Sequence, residues 1–224
     1  KSDMIRGRRF SCSWSGGKDS CFALYRALQE GGIPYCLLTM LCENGRQSRS
    51  HGLPASLLEK QAAALGIPLV TCAASWDGYE TVFTTELMRL KMKGVEVGVF
   101  GDIDLEEHRA WVEKVCSRVS LGAFLPLWGQ SHRDLALEFI SLGFEAVIVA
   151  VKEEILDPAS FLGRPLDART LLELERLGID VAGESGEFHT FVTGGPIFKQ
   201  QIKLDTKGRV SFDGYSFLAF SQLG

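Results

Sequence analysis

The chain has 224 residues, of which 24 are Lys or Arg and 28 are Asp or Glu, for a formal net charge of −4. That is enough for one large domain or two small ones, and the acidic balance argues against a broad nucleic-acid footprint despite basic runs at 6–9 and 45–49. Six cysteines with no C-x-x-C pair and no secretory leader predict reduced thiols and a cytoplasmic location, and no apolar run approaches the roughly 20 residues of a membrane span.

Strand-like runs at 9–14, 35–42, 68–72 and 96–100 alternate with segments of helical spacing, which predicts a parallel sheet with crossover helices. After the first run, Phe22, Leu24, Tyr25 and Leu28 form an apolar stripe that stops at Gly31 and Gly32, ahead of Pro34. A second helix over 57–65 ends at Gly66 and Pro68. A third, over 105–119, sets Leu105, Trp111, Val112, Val115, Cys116 and Val119 on one face. The pattern changes around 121–126, so the expected division is a larger domain over 1–121 and a smaller one over 122–224. In the smaller domain the pattern predicts helices over 133–142 and 168–177 and a strand over 146–151. A closing hairpin is expected to pair 202–205 with 210–212 across "TKGR", with Gly208 as the turn residue. The fold class is therefore α/β, a doubly wound parallel sheet with a smaller C-terminal α/β domain.

Between the first strand and the first helix stands "SWSGGKDS", 13–20. A plain turn needs less. Gly16 and Gly17 lack Cβ atoms, so the backbone can approach an oxyanion closely, and the helix start adds its positive end. Lys18 supplies full charge, while Ser15 and Ser20 supply hydroxyl donors. Asp19 would repel a bare polyphosphate, a conflict that a magnesium ion between them resolves. The bland alternative is a glycine-rich turn capped by Asp19 or Ser20. The order strand, loop, helix favours phosphate binding, and the nucleotide expected is ATP with Mg2+. The loop is neither a Walker-type P-loop nor a G-x-G-x-x-G dinucleotide fingerprint.

The run "VGVFGDID" places Gly101 and Asp102 after a strand and before the helix that carries Trp111. In a doubly wound sheet this strand end can lie beside the phosphate loop, where Asp102 would help Asp19 hold the metal; the competing role is a first-turn carboxylate, for which Asp104 is the better candidate. His108 reads as a packed histidine. Past the second strand, "QSRSHGLP" places Arg49 and His51 where the base or an acceptor substrate would be contacted, or else on a surface loop.

Late in the chain, "GESGEFHTFVTGGPIF" crowds Glu184, Glu187 and His189 between glycines, with Phe188 and Phe191 interleaved. Clustered carboxylates suit a cation site or a base of raised pKa; the bland alternative is an acidic turn leading into the hairpin. The four histidines are scattered without zinc-ligand spacing, so zinc is not expected.

"SGGKDS" resembles the PP-loop of the ATP pyrophosphatases, within the HUP-like, adenine nucleotide alpha hydrolase-like superfamily. Together with "GDID", "PLW" (126–128) and "GESGEFHTFV", it resembles the diphthine–ammonia ligase family over nearly the whole chain. The resemblance implies attack at the α-phosphate of ATP, an adenylated carboxylate, and its displacement by ammonia with release of AMP. The implied acceptor is diphthine, a modified histidine of translation elongation factor 2, or another carboxylate if the chain is a bacterial relative. Carried over by motif, Ser15, Gly16, Gly17, Lys18, Asp19 and Ser20 bind nucleotide, joined by Gly101 and Asp102. Lys18, Glu184, Glu187 and His189 are the candidate catalytic residues. Arg49, His51, Trp128 and Phe188 are candidates for acceptor binding, the aromatic rings and Glu184 suiting diphthine's quaternary ammonium. Two rival readings are a PP-loop enzyme that thiolates tRNA, disfavoured by the missing C-x-x-C pair and the acidic balance, and a nucleotide sensor without chemistry, which leaves the glutamate cluster idle.

Overall fold

The computed structural model describes residues 2–49 and 52–221. By internal contacts the chain forms two units: residues up to Ser15 together with Asp19–Gly129, and Gly16–Lys18 together with Gln130 onward. In the first unit the elements alternate as the hydrophobic pattern requires: β1 (Arg9–Ser13), α1 (Lys18–Gln29), β2 (Ile33–Leu41), α2 (Ala55–Leu65), β3 (Leu69–Ala73), α3 (Tyr79–Met92), β4 (Val97–Val99), α4 (Glu106–Arg118) and β5 (Gly122–Phe124). The strands are continuous apolar runs because a parallel sheet is covered on both faces; six consecutive residues of β2 are buried. All five pair in parallel in the order β3-β2-β1-β4-β5. Helices α3 and α4 cover the sheet face that carries Cys36, Leu38 and Met40, and right-handed crossovers assign α1 and α2 to the other face. The order reverses between β1 and β4, so the loops after those two strands flank the crevice where such sheets bind ligands.

The second unit holds α5 (His132–Ser141), β6 (Glu145–Lys152), the short α6 (Pro158–Phe161), α7 (Ala168–Arg176), β7 (Phe188–Gly194), β8 (Thr206–Phe212) and β9 (Tyr215–Phe220). Its four strands are antiparallel in the order β7-β6-β9-β8, which makes β7 and β8 the edges. Ser131 and Asp167 cap α5 and α7 through their side chains.

Several expectations are corrected. The hairpin joins β8 to β9 through Asp213 (φ 52°) and Gly214 (φ 81°), an Asp-Gly pair in the left-handed region, whereas Gly208 lies inside β8 at a register irregularity. Residues 202–205 form no strand. The N-cap position of α4 is Leu105, without a side-chain cap bond, so Asp104 does not hold that place. By internal contacts the units divide at 129/130, and β5, just past the expected boundary at 121/122, pairs with β4 in the first sheet.

Candidate active site

In the first unit, β1 delivers the chain to the sheet's carboxyl edge at Trp14. The Trp14 amide donates to the Leu38 carbonyl at 2.8 Å and the Trp14 carbonyl accepts from Thr39 Oγ1 at 2.7 Å, while Nε1 donates to Gln61 Oε1 at 3.0 Å. These bonds fix the start of the glycine loop. The loop is also fastened across itself: Ser20 Oγ accepts from the Ser15 amide at 3.2 Å and lies 3.1 Å from Ser15 Oγ. Gly16 turns the chain with φ 83°, a value that glycine tolerates without strain.

The loop after β4 packs directly on this one. A Cβ at Gly101 would stand 2.8 Å from the Asp19 carbonyl carbon and oxygen and 3.0 Å from the Ser20 amide. Glycine is what permits that approach. Beside it, burial pushes the Asp102 carboxyl above its ordinary value; His108, with Nδ1 3.5 Å from Oδ1, opposes the rise and the charge of Asp19 adds to it. His108 is a largely exposed partner of Asp102 rather than the packed histidine expected. A buried carboxyl raised further by a neighbouring carboxylate's charge has the chemistry of a cation site. Among the described residues no cluster of three metal-ligating side chains occurs, so a magnesium ion held by Asp19 and Asp102 would take its remaining ligands from phosphate and water.

Arg49 binds the Ala74 carbonyl through Nε (2.9 Å) and Nη2 (2.7 Å) and lies 4.3 Å over the exposed ring of Trp76. Trp76 stacks on Tyr79 at 5.7 Å. Burial raises the Tyr79 hydroxyl pKa, with Arg49 opposing and Asp102 reinforcing, so the loops after β2, β3 and β4 converge at one edge. The sequence reading missed Trp76 and Tyr79; a tryptophan in "SWDGYE" directly after a strand was the available signal. His51 lies outside the described residues. Trp128 is half-buried, with the Arg109 guanidinium 5.0 Å over its ring.

In the second unit, Gly16–Lys18 runs beside β7. The Val192 amide donates to the Gly16 carbonyl at 2.9 Å, and the Lys18 amide donates to Thr190 Oγ1 at 3.0 Å. The Lys18 ammonium donates to the Ala182 carbonyl and lies 5.8 Å from the Phe188 ring centroid, buried with 7% exposure. The glutamate-bearing segment, for which an acidic turn was the bland alternative, is a turn as far as Glu187 and an edge strand beyond it. Gly183 (φ 64°) and Gly186 (φ 80°) make the turn. It is pinned by Asp180, whose carboxylate accepts from the Ala182 and Glu184 amides at 3.0 and 3.2 Å and lies 2.8 Å from His132 Nδ1. Burial alone would raise the Asp180 carboxyl, but these bonds outweigh it and hold it below its ordinary value. The Tyr215 hydroxyl donates to the Gly186 carbonyl at 2.7 Å, and the Lys152 amide to the Glu187 carbonyl at 2.9 Å.

Glu187 is brought to the start of β7 with 9% exposure, and its Oε2 is buried without a hydrogen-bond partner among the described residues. A buried carboxylate oxygen left unmatched is costly, and a cationic or N–H-bearing ligand would match it. Burial, then the positive charge of Lys18, lowers the His189 pKa to about 4, so the imidazole is neutral at pH 7. It stacks on Tyr215 at 5.9 Å.

Family models for the diphthamide synthase N-terminal and C-terminal domains match residues 8–123 and 131–221, leaving between them the stretch where the two units divide. The chain belongs to the diphthine–ammonia ligase family. It is 32% identical to the diphthine–ammonia ligase of Rattus norvegicus, across 93% of this chain and 88% of that protein, and 30% identical to that of Homo sapiens, across 92% and 87%. A solved structure described as a predicted subunit of a tRNA methyltransferase from Methanocaldococcus jannaschii is 18% identical, with a TM-score of 0.47 over 87% of this chain and all of that one. Among the described residues no helix is long and apolar enough to cross a membrane.

Proposed function

We propose that this chain is an ATP-dependent, AMP-forming ligase that joins ammonia to the carboxylate of diphthine on translation elongation factor 2; its relatives carry the name diphthine–ammonia ligase. The observation that carries the reading from geometry is that the glycine loop is hydrogen-bonded along β7, the strand that begins beside Glu187 and contains Phe188 and His189. Gly16 and Lys18 thereby belong to one hydrogen-bonded structure with the strand that carries the residues fitted to an amine.

The acceptor carboxylate oxygen attacks the α-phosphorus of ATP, the bond to the β-phosphate oxygen breaks, and pyrophosphate leaves. Ammonia then attacks the acyl carbon, and AMP departs with the former carboxylate oxygen. In the first step the amides of Gly16 and Gly17, the Ser15 and Ser20 hydroxyls and the Lys18 ammonium bind the polyphosphate and stabilise charge as it moves to the leaving group. Asp19 and Asp102 would hold a magnesium ion, which would supply charge neutralisation. In the second step ammonium has no lone pair to offer until a base removes a proton, and Glu187 is the base, with its unmatched Oε2 as the accepting atom. Neutral His189 orients the incoming group and brings no competing charge. Glu184 and Phe188 meet the quaternary ammonium of diphthine; the Phe188 ring already has the Lys18 ammonium near it, the interaction such a group would use. The cytoplasm is where this acceptor is available.

Isotopically labelled ammonium, offered with ATP, magnesium and diphthine-bearing elongation factor 2, should place its label in the acceptor amide. An acceptor that stays unlabelled while ATP is consumed would reject diphthine amidation.

A further inference from the structure

We infer that Thr190 is a positioning residue for the phosphates of ATP, acting through the backbone of Lys18. The inference rests on the reading of the glycine loop as a phosphate site. Lys18 is the first residue of α1, so its amide is one of the orphan donors at a helix start. Such donors are usually capped from the preceding few residues. Here the acceptor is a hydroxyl 172 positions away, on a residue with 3% exposure. Thr190 stands on β7, whose one sheet neighbour is β6. Along its other edge the Val192 amide donates to the Gly16 carbonyl at 2.9 Å, so the glycine loop lies against that edge.

This arrangement answers a need of the loop. Two consecutive glycines carry little conformational preference of their own, so the direction in which their amides point must be imposed from outside. Gly16 is held on one side by Val192 and the chain is held again at Lys18 by Thr190. The pair of contacts brackets Gly17 and fixes the peptide planes that would face phosphate oxygens. The Val192 contact is backbone to backbone and survives substitution. The Thr190 contact is made by a side chain and can be removed without changing shape.

Thr190→Val keeps the volume and branching and deletes the acceptor; Thr190→Ser keeps the acceptor. Affinity for ATP-Mg and for adenosine is measured by calorimetry on the full chain of each variant. Thr190→Val should weaken ATP binding about tenfold, the fold-change of one lost hydrogen bond, leave adenosine binding unchanged, and be rescued by Thr190→Ser. Unchanged ATP affinity in Thr190→Val would overturn the role, as would a parallel loss of both ligands or a failure of serine to rescue. If the unaltered protein binds ATP no more tightly than adenosine, the phosphate-site reading itself fails, and that outcome is distinct from a Thr190 variant that matches an ATP-preferring parent.

Discussion

Gly101→Ala tests the contact between the two loops at the sheet's switch point. The new methyl carbon would begin 2.8 Å from the backbone of Asp19 and 3.0 Å from the Ser20 amide. Non-bonded carbon contacts settle near 3.5 Å, so one loop must retreat by about 0.7 Å. Neither side can yield by rotating a side chain, because both partners are main chain. Overpacking of this kind costs about 1–3 kcal/mol, a fall in Tm of several degrees for a chain of this size. The larger effect is on chemistry: displacements near 1 Å in a reacting geometry cost on the order of 10²-fold, so kcat/KM for ATP should drop by roughly 10- to 100-fold. Steady-state pyrophosphate release over a range of ATP concentrations, with thermal unfolding in parallel, measures both quantities. Gly122→Ala is the control, since a Cβ there meets Val97 Cγ2 at an ordinary 3.7 Å. A Gly101→Ala protein that turns over ATP like Gly122→Ala would refute the idea that this loop contact positions the phosphates.

Lys18→Ala and Asp19→Ala should keep the fold and each lower ATP-Mg turnover by at least roughly tenfold, through lost phosphate charge and lost metal coordination respectively; unchanged turnover in both would remove the loop from the site. Asp102→Asn should match Asp19→Ala in its magnesium dependence, and a variant that shows only a changed Tm would make Asp102 structural. Glu187→Gln should still bind ATP and release one pyrophosphate per active site, while amide formation falls by roughly 10²–10⁴-fold; full amide formation would return Glu187 to a structural turn. His189 stays neutral in the folded chain down to about pH 4, whereas the unfolded chain takes up a proton near 6.5. Acid therefore favours unfolding, and stability should fall as pH drops from 6.5 to 4, by up to ~3 kcal/mol from this residue. Urea unfolding at pH 7 and pH 5 should show a smaller loss in His189→Phe than in the parent, and equal losses would contradict the assignment.

The parallel sheet was legible because its strands are unbroken apolar runs separated by helical spacing, and the glycine loop because its residue types have no use in a plain turn. Helix α3 was not found: Thr81, Val82, Thr84 and Thr85 favour strand by propensity, and only packing of Phe83, Leu87 and Leu90 into the core decides for helix. Strand β7 was hidden by glycines at 183 and 186, which belong to the turn before it. Two glycine-bearing turn signals competed in the hairpin, and Asp213-Gly214 won because both residues can take positive φ in a two-residue turn. The least legible features are the non-local ones. Nothing near Lys18 announces that its amide is satisfied by Thr190, and nothing near Glu184 announces that Asp180 is tied to His132.

The central claim is adenylation, and the nucleotide product tests it most directly. ATP labelled at the α-phosphate is incubated with the chain, magnesium, ammonium and diphthine-bearing elongation factor 2. The account predicts labelled AMP, formed mole for mole with pyrophosphate and with acceptor amide, and dependent on the acceptor carboxylate. Labelled ADP, or acceptor amide formed without AMP, would contradict it.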